Sequence, residues 1–299
     1  MGGSILLLIL VLWKGKVVNH AQSWILGIQP AEFIKLGVVI VLSRFFAIRQ
    51  EMNKPFWYGG AKIILFLSTT FILIYKQPNL GSAILIMTIA ISIFLCSGIN
   101  INLLIKRTVL TSVIWFPFLL LLVKYGLSEV QKIRITTMSD PFLDAKGAGY
   151  QLVNSFIAIG SGGITGRGLG NSVQKSGYLP EPYTDFVMAI LSEELGLVGV
   201  SIIMIGLLIV TIYSFRISKK CQDLFGSLIA IGIGSMIGFQ SVVNVGGITG
   251  VIPLTGTPLP FVSFGGSSLI TNLLAMGMLI NISFFSKIQK GDVTKFIKE

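Results

Sequence analysis

The chain has 299 residues, of which 53% are hydrophobic and only 12% charged, with a mean hydropathy of +0.84. That balance excludes a soluble globular enzyme and reads as an all-α, polytopic membrane helix bundle. A net charge of +11 would suggest a nucleic-acid partner only if the bases formed a patch; they sit at the ends of the apolar runs instead, so membrane lipids and no nucleic acid are expected.

Eight membrane segments are predicted in chain order, near 4–13, 30–48, 60–75, 81–98, 108–127, 185–214, 222–243 and 268–286, forming one integral-membrane domain over 1–299. The first has no charged region before it and no small-residue cleavage site, so it is not read as a cleavable leader, and it is short for a full span. The lone His20 lies in a polar loop without His or Cys neighbours and is not a metal ligand. Cys96 and Cys221 are far apart and give neither a disulfide framework nor metal spacing.

Lys and Arg set the orientation. Thirteen flank the segments on one side, including Arg44, Arg49, Lys106, Arg216, Lys220 and Lys287, against three (Lys14, Lys16, Lys76) in the short loops of the other. The richer side is expected in the cytoplasm, together with the C-terminus. One connection, 128–184, is far longer than a passive link of ~12–15 residues and forms a large extracytoplasmic loop. It contains a possible amphipathic helix at 151–159 and a glycine run at 161–171. With no strand before the run and no Gly-Lys-Ser/Thr after it, a mobile loop is expected rather than a phosphate loop. Arg167 and Lys175 remain able to meet an arriving phosphate.

Four acids carry the chemical interest. Asp185, in LPEPYTDF, lies where the long loop enters the sixth segment. Its plainer reading is a first-turn acid favoured by the helix dipole, with Thr184 as N-cap; its sharper reading is a general base whose pKa burial has raised. Glu193 and Glu194 lie ~12–14 Å deeper on the same helix and diverge by ~100°, so both are not expected to face one site. Either could be a structural, paired glutamate or act directly. Glu32 shares a face with Lys35 at i, i+3; the pair is a local ion pair, presents Lys35 to an anion, or compensates Glu193 or Glu194 across the bundle. Finally, 253–268 (PLTGTPLPFVSFGGSS) cannot be an ordinary lipid-facing span, because irregular backbone survives in a membrane only inside protein, at a surface or along a wet cavity.

Taken together and in order, QPAEFIK (29–35), QPNLGSA (77–83), the stretch 149–175, LPEPYTDF (179–186), SEELG (192–196) and PLTGTPLPFVSFGGSS resemble the SEDS proteins (shape, elongation, division and sporulation) over almost the whole chain. These are bacterial membrane enzymes that polymerise peptidoglycan from lipid II. The LTGTPLPF wording looks closer to the elongation (RodA) branch than to the division (FtsW) branch. The resemblance implies ten membrane helices, of which the eight here would be the third to the tenth, with the first two missing. It makes Asp185 the catalytic acid, associates Glu32 and Lys35 with the central cavity, and implies a class B penicillin-binding protein as crosslinking partner. Asn79 stands where the family usually has Asp, and Ser23 where Arg usually precedes the Trp of the first outer loop.

The expected function is an inverting glycosyltransferase acting on lipid II at the outer membrane face, with Asp185 as base toward the acceptor hydroxyl. Lys35, Arg167 and Lys175 are the candidate cations for the diphosphate leaving group. Glu32, Glu194, Thr255, Pro260, Ser263, Gly265, Gly266 and Ser267 complete the expected substrate site. A divalent cation bridging Asp185 and the diphosphate is conceivable, although no ligand spacing supports it. Two other functions stay open: a transporter of the lipid-linked precursor using Glu193 and Glu194, and a non-catalytic scaffold for cell-wall enzymes.

Overall fold

The computed structural model describes residues 2–18, 21–25, 27–54, 59–77, 79–98 and 129–289. Its elements are α1 (Gly2–Lys14), a two-stranded antiparallel ribbon of β1 (Lys16–Val18) and β2 (Ala21–Trp24), α2 (Pro30–Glu51), α3 (Gly60–Tyr75), α4 (Leu80–Leu95), α5 (Glu129–Ser139), α6 (Tyr150–Gly162), α7 (Val187–Lys220), α8 (Leu224–Ile248) and α9 (Gly266–Gln289). Seven of the eight expected segments are helices; the fifth, 108–127, lies outside the described residues, as does His20. The ribbon was not expected. Among the described residues α7, α8 and α9 are long and apolar enough to cross a membrane, and α1, α3 and α4 provide shorter apolar helices.

Local chemistry sets several boundaries. Pro30 opens α2 at a position where a backbone N–H would lack an acceptor anyway. Asn79 caps α4, its side-chain oxygen accepting from the Ser82 N–H at 3.2 Å, and Asp223 caps α8 by accepting from Gly226 at 2.8 Å. Asn79 therefore fills a capping role without carrying a charge.

The centre of the bundle is α8, packed against α7, α2, α4 and α9. Its small residues allow close approach: a Cβ on Gly232 would stand 2.6 Å from Val39 of α2. By contrast, α7 leaves Leu197, Ile202, Ile205, Leu208 and Tyr213 exposed, an apolar face suited to lipid.

Two polar residues one turn apart on α8, Gln240 and Asn244, fix the irregular segment 249–265 between α8 and α9. Gln240 donates through Nε2 to the Pro258 carbonyl at 2.7 Å, and its Oε1 accepts from Lys35 Nζ at 2.8 Å. Lys35 also pairs with Glu32 Oε1 at 2.9 Å, and both side chains are almost fully buried. The pair neither presents Lys35 to an anion nor compensates Glu193 or Glu194; it is consumed in carrying Gln240, and through it the proline segment. A buried charge stripped of its partner is strongly destabilising, whereas removing both is far milder. Lys35→Met is therefore expected to lower stability by about 3–5 kcal/mol, with most of the loss recovered in Glu32→Gln/Lys35→Met. Denaturant unfolding of the purified protein in detergent micelles measures both.

Candidate functional site

Asp185 lies two residues before α7 begins, in a turn held from three directions. Asn244 Nδ2 donates to the Asp185 carbonyl and to the Thr257 carbonyl, both at 2.8 Å. Ser263 Oγ donates to the Thr184 carbonyl at 2.6 Å and accepts from the Leu259 N–H at 2.7 Å, while the Phe264 N–H donates to the Tyr183 carbonyl at 2.8 Å. Residues 183–185 and 257–264 are thus joined backbone to backbone, with Asn244 and Ser263 as the bridging side chains. Glu181 (φ 55°) and Phe261 (φ 63°) hold left-handed backbone on either side of this junction. Such conformations cost about 1–3 kcal/mol each and cluster at functional sites.

The capping reading of Asp185 does not hold. The residue before α7 is Phe186 and carries no side-chain cap, and Thr184 Oγ1 turns back to the Glu181 carboxylate at 2.9 Å. Among the described residues the Asp185 carboxylate accepts no hydrogen bond and forms no contact ion pair. It lies instead against Gly256, where a Cβ would come within 3.2 Å of Oδ2. Burial pushes Asp185 up to about 6, Glu181 and Glu32 add to the rise, and Arg134 opposes it.

Two cavities meet at this carboxylate. The larger, about 470 Å³, lies among α5, α6 and the end of α8 and is lined by Thr137, Tyr150, Gln151 and Asn244 among others. The smaller, about 330 Å³, lies under the ribbon and the start of α9, lined by Trp24, Gln29, Asn79, Phe264 and residues 265–268. Arg134, Glu181, Asp185, Thr255 and Gly256 border both. Of the residues expected at the site, Asp185, Thr255, Gly265, Gly266 and Ser267 are brought together here. Ser263 supports the wall from behind, and Ser267 Oγ accepts from the Gln29 N–H at 2.9 Å. Pro260 is buried and lines neither cavity; nor do Glu32 and Lys35.

Arg167, Lys175 and Glu194 belong to a separate assembly. Glu193 accepts from Ser172 Oγ at 2.6 Å, from the Val173 and Gln174 N–H groups at 3.2 Å each, and from Arg167 Nη1 at 3.2 Å; Glu194 pairs with Lys175 Nζ at 2.7 Å. Both adjacent glutamates serve one loop, contrary to expectation, because the loop crosses over the helix and meets each carboxylate in turn. The glycine run is accordingly docked rather than mobile. Helix α7 breaks at Gly196 (φ 65°), and the freed N–H groups of Leu197 and Val198 donate to the carbonyls of Gly163 and Ile164 at 3.0 and 3.2 Å. The return bonds run from the Arg167 and Gly168 N–H groups to the carbonyls of Glu193 and Glu194, each 2.9 Å. Irregular backbone at membrane depth is satisfied by protein, as a bilayer requires.

Three contributors escaped the sequence reading: Arg134, Asn244 and Gln240. Arg134 sits on a polar loop helix with no motif around it. Asn244 and Gln240 were visible as polar residues at i, i+4 in an apolar run, a signal that marks a functional or bridging face. Among the described residues no three His, Cys, Asp or Glu side chains gather into a metal site.

A helical membrane bundle with a half-buried carboxylate between two cavities at one end of its helices defines the class. The chain belongs to the FtsW/RodA/SpoVE family of cell cycle proteins, the SEDS family, whose family model matches residues 1–288. It is 44% identical over 291 residues to a probable peptidoglycan glycosyltransferase FtsW of Bacillus subtilis, covering 95% of this chain and 72% of that protein. Stage V sporulation protein E of the same organism is 38% identical over 287 residues, covering 95% and 77%. Among solved structures, a chain of a peptidoglycan synthase complex that coordinates polymerization and crosslinking superposes with a TM-score of 0.75 at 28% identity, covering 95% and 80%. The rod shape determining protein RodA of Thermus thermophilus gives 0.62 at 27% identity, covering 94% and 75%. The family expectation stands; the narrower RodA expectation does not follow from relatives that are an FtsW and a sporulation protein.

The break in α7 leads to a prediction. A Cβ at Gly196 would overlap the backbone of Ile164 and Gly166 and would also require a left-handed backbone. Gly196→Ala is expected to undock the loop and speed tryptic cleavage at Arg167 and Lys175 by about five- to a hundredfold, the shift in local opening that ~1–3 kcal/mol of strain gives. Limited proteolysis of the folded protein measures it.

Proposed function

We propose that this chain is a peptidoglycan glycosyltransferase that polymerises lipid II, with Asp185 as general base. The supporting observation is the position of Asp185: a carboxylate at the junction of two cavities that accepts no hydrogen bond among the described residues. One cavity can receive the sugar that carries the leaving diphosphate, the other the acceptor sugar. Base and reacting hydroxyl then need only come within hydrogen-bond reach, about 2.6–3.2 Å. The acceptor hydroxyl loses its proton to Asp185 as its oxygen attacks the anomeric carbon. The bond to the diphosphate breaks on the opposite face, which inverts the configuration. The name of the Bacillus FtsW relative, a probable peptidoglycan glycosyltransferase, supports the same activity.

The site faces out of the cell in this reading. Supporting it is the charge count, since Arg44, Arg49, Arg216, Lys220 and Lys287 all lie at the other end of the helices. The C-terminus is then cytoplasmic. A class B penicillin-binding protein is the proposed partner, supported by the likeness to a synthase complex that also crosslinks. The transporter reading loses its residues, because Glu193 and Glu194 are both engaged by the docked loop.

Purified protein given labelled lipid II is expected to make long glycan strands, and Asp185→Ala to make none while folding normally. Flipping or partner binding without polymerisation would contradict the assignment. The raised carboxyl gives a pH signature of definite sign. Asp185 is ionised, and competent as a base, above about pH 6 and protonated below it, so polymerisation is expected to fall on the acid side of that value, approaching tenfold per pH unit.

The branch is proposed from relatedness. The 44% identity to an FtsW supports a division-type role over the elongation role suggested by the wording of 254–261. A fluorescent fusion is then expected at the division site and to correct filamentation in cells depleted of the division enzyme. Dispersed lateral signal with rescue of rod shape would return the assignment to elongation.

A further inference from the structure

Resting on that polymerase reading, we propose that Arg134 is the residue that binds the diphosphate of the lipid-linked donor, in the smaller cavity between its guanidinium and the start of α9. The three cations expected from the sequence are otherwise engaged: Lys35 with Glu32 and Gln240, Arg167 with Glu193, Lys175 with Glu194. Arg134 is the basic side chain that borders both cavities beside Asp185.

Its geometry suits the task. Nη1 donates to the Leu254 carbonyl at 3.0 Å, which anchors α5 to the proline segment and fixes the orientation of the planar head. Among the described residues that is its single hydrogen bond, and none of them accepts from the remaining N–H donors of the fork. Arg134 lies close enough to Asp185 to oppose the rise of that carboxyl, yet the two form no contact ion pair. A fixed guanidinium beside a carboxylate, but not neutralised by it, is the arrangement a bidentate phosphate contact needs.

The smaller cavity is the better of the two for the anion. It exposes Gly266, Ser267 and Ser268, the first turn of a 24-residue helix, whose backbone N–H groups lack intrahelical acceptors. The larger cavity offers Tyr150, Gln151, Thr137 and Asn244, a lining suited to an uncharged sugar. As the glycosidic bond to the donor breaks, the electron pair moves onto the diphosphate oxygen, and Arg134 meets that charge; the acceptor proton goes to Asp185 on the other side.

The test uses the full chain in nanodiscs and polyprenyl diphosphate, carrying no sugar, as probe. Binding of the probe and its inhibition of polymerisation are measured for wild type, Arg134→Gln and Arg134→Lys, alongside nanodiscs enriched in phosphatidylglycerol. Arg134→Gln is expected to weaken probe binding and raise KM for lipid II about ten- to a hundredfold, the worth of one charge-assisted contact, with only a small drop in melting temperature from the lost bond to Leu254. Arg134→Lys, keeping the charge but not the fork, is expected in between. Probe binding equal in wild type and Arg134→Gln, with turnover alone lost, would overturn the proposal and leave Arg134 a brace for Leu254. Displacement of the probe by phosphatidylglycerol in wild type would overturn it in favour of a general lipid-phosphate contact. Should Arg134→Gln not fold, Arg134→Lys decides: weakened binding supports the assignment and unchanged binding contradicts it. Probe binding needs no turnover, so a wild type that binds the probe but polymerises nothing refutes the polymerase reading and not this one.

Discussion

Backbone that leaves a regular helix inside a bilayer must find partners in protein, since hydrocarbon offers none. Everything distinctive here follows from how the chain meets that demand around residues 253–268. Asn244 holds the carbonyls of Asp185 and Thr257 together, Ser263 ties Thr184 to Leu259, and Gln240 holds Pro258. Those bonds satisfy an irregular segment and, by the same act, fix the Asp185 turn against Gly256. The geometry around Asp185 is a consequence of backbone satisfaction rather than an addition to it.

The same solution recurs a short distance away with different residues. Where α7 breaks at Gly196, the loop 163–168 supplies the missing carbonyls and takes back two of the helix's own. Glu193 and Glu194 then hold the rest of the loop through Ser172, Arg167 and Lys175. Two buried acids that would be costly in lipid become anchors for the large loop, and their neutralisation is complete within it. That loop in turn leads into residues 177–186, so the rigidity of α7's first turns reaches the site. Behind the site the Glu32–Lys35 pair does the equivalent work for Gln240, with both charges inside the bundle.

The sequence disclosed the helices well because long apolar runs with basic ends have one physical reading in a membrane. It disclosed Asp185 and the proline-glycine segment because each breaks the local rule for its surroundings. Partnership was harder to read. Glu193 and Glu194 looked as if they must diverge, since helix geometry alone says so; a loop long enough to cross the helix removes that restriction. Lys35 looked available for a ligand until Gln240, 205 residues away, proved to be its second partner. Arg134 carried no signal, for an arginine on a polar helix is ordinary until folding places it beside a buried carboxylate. Branch within the family was over-read from eight residues, which could not outweigh similarity spread over most of the chain.

The most direct measurement is a cryo-electron microscopy structure of the protein trapped with lipid II and a non-reactive donor analogue. The account predicts sugar density in both cavities, with the acceptor hydroxyl within hydrogen-bond distance of the Asp185 carboxylate. Sugars seated instead against the docked loop at Glu193 and Glu194, or on the opposite end of the bundle, with Asp185 untouched, would contradict it.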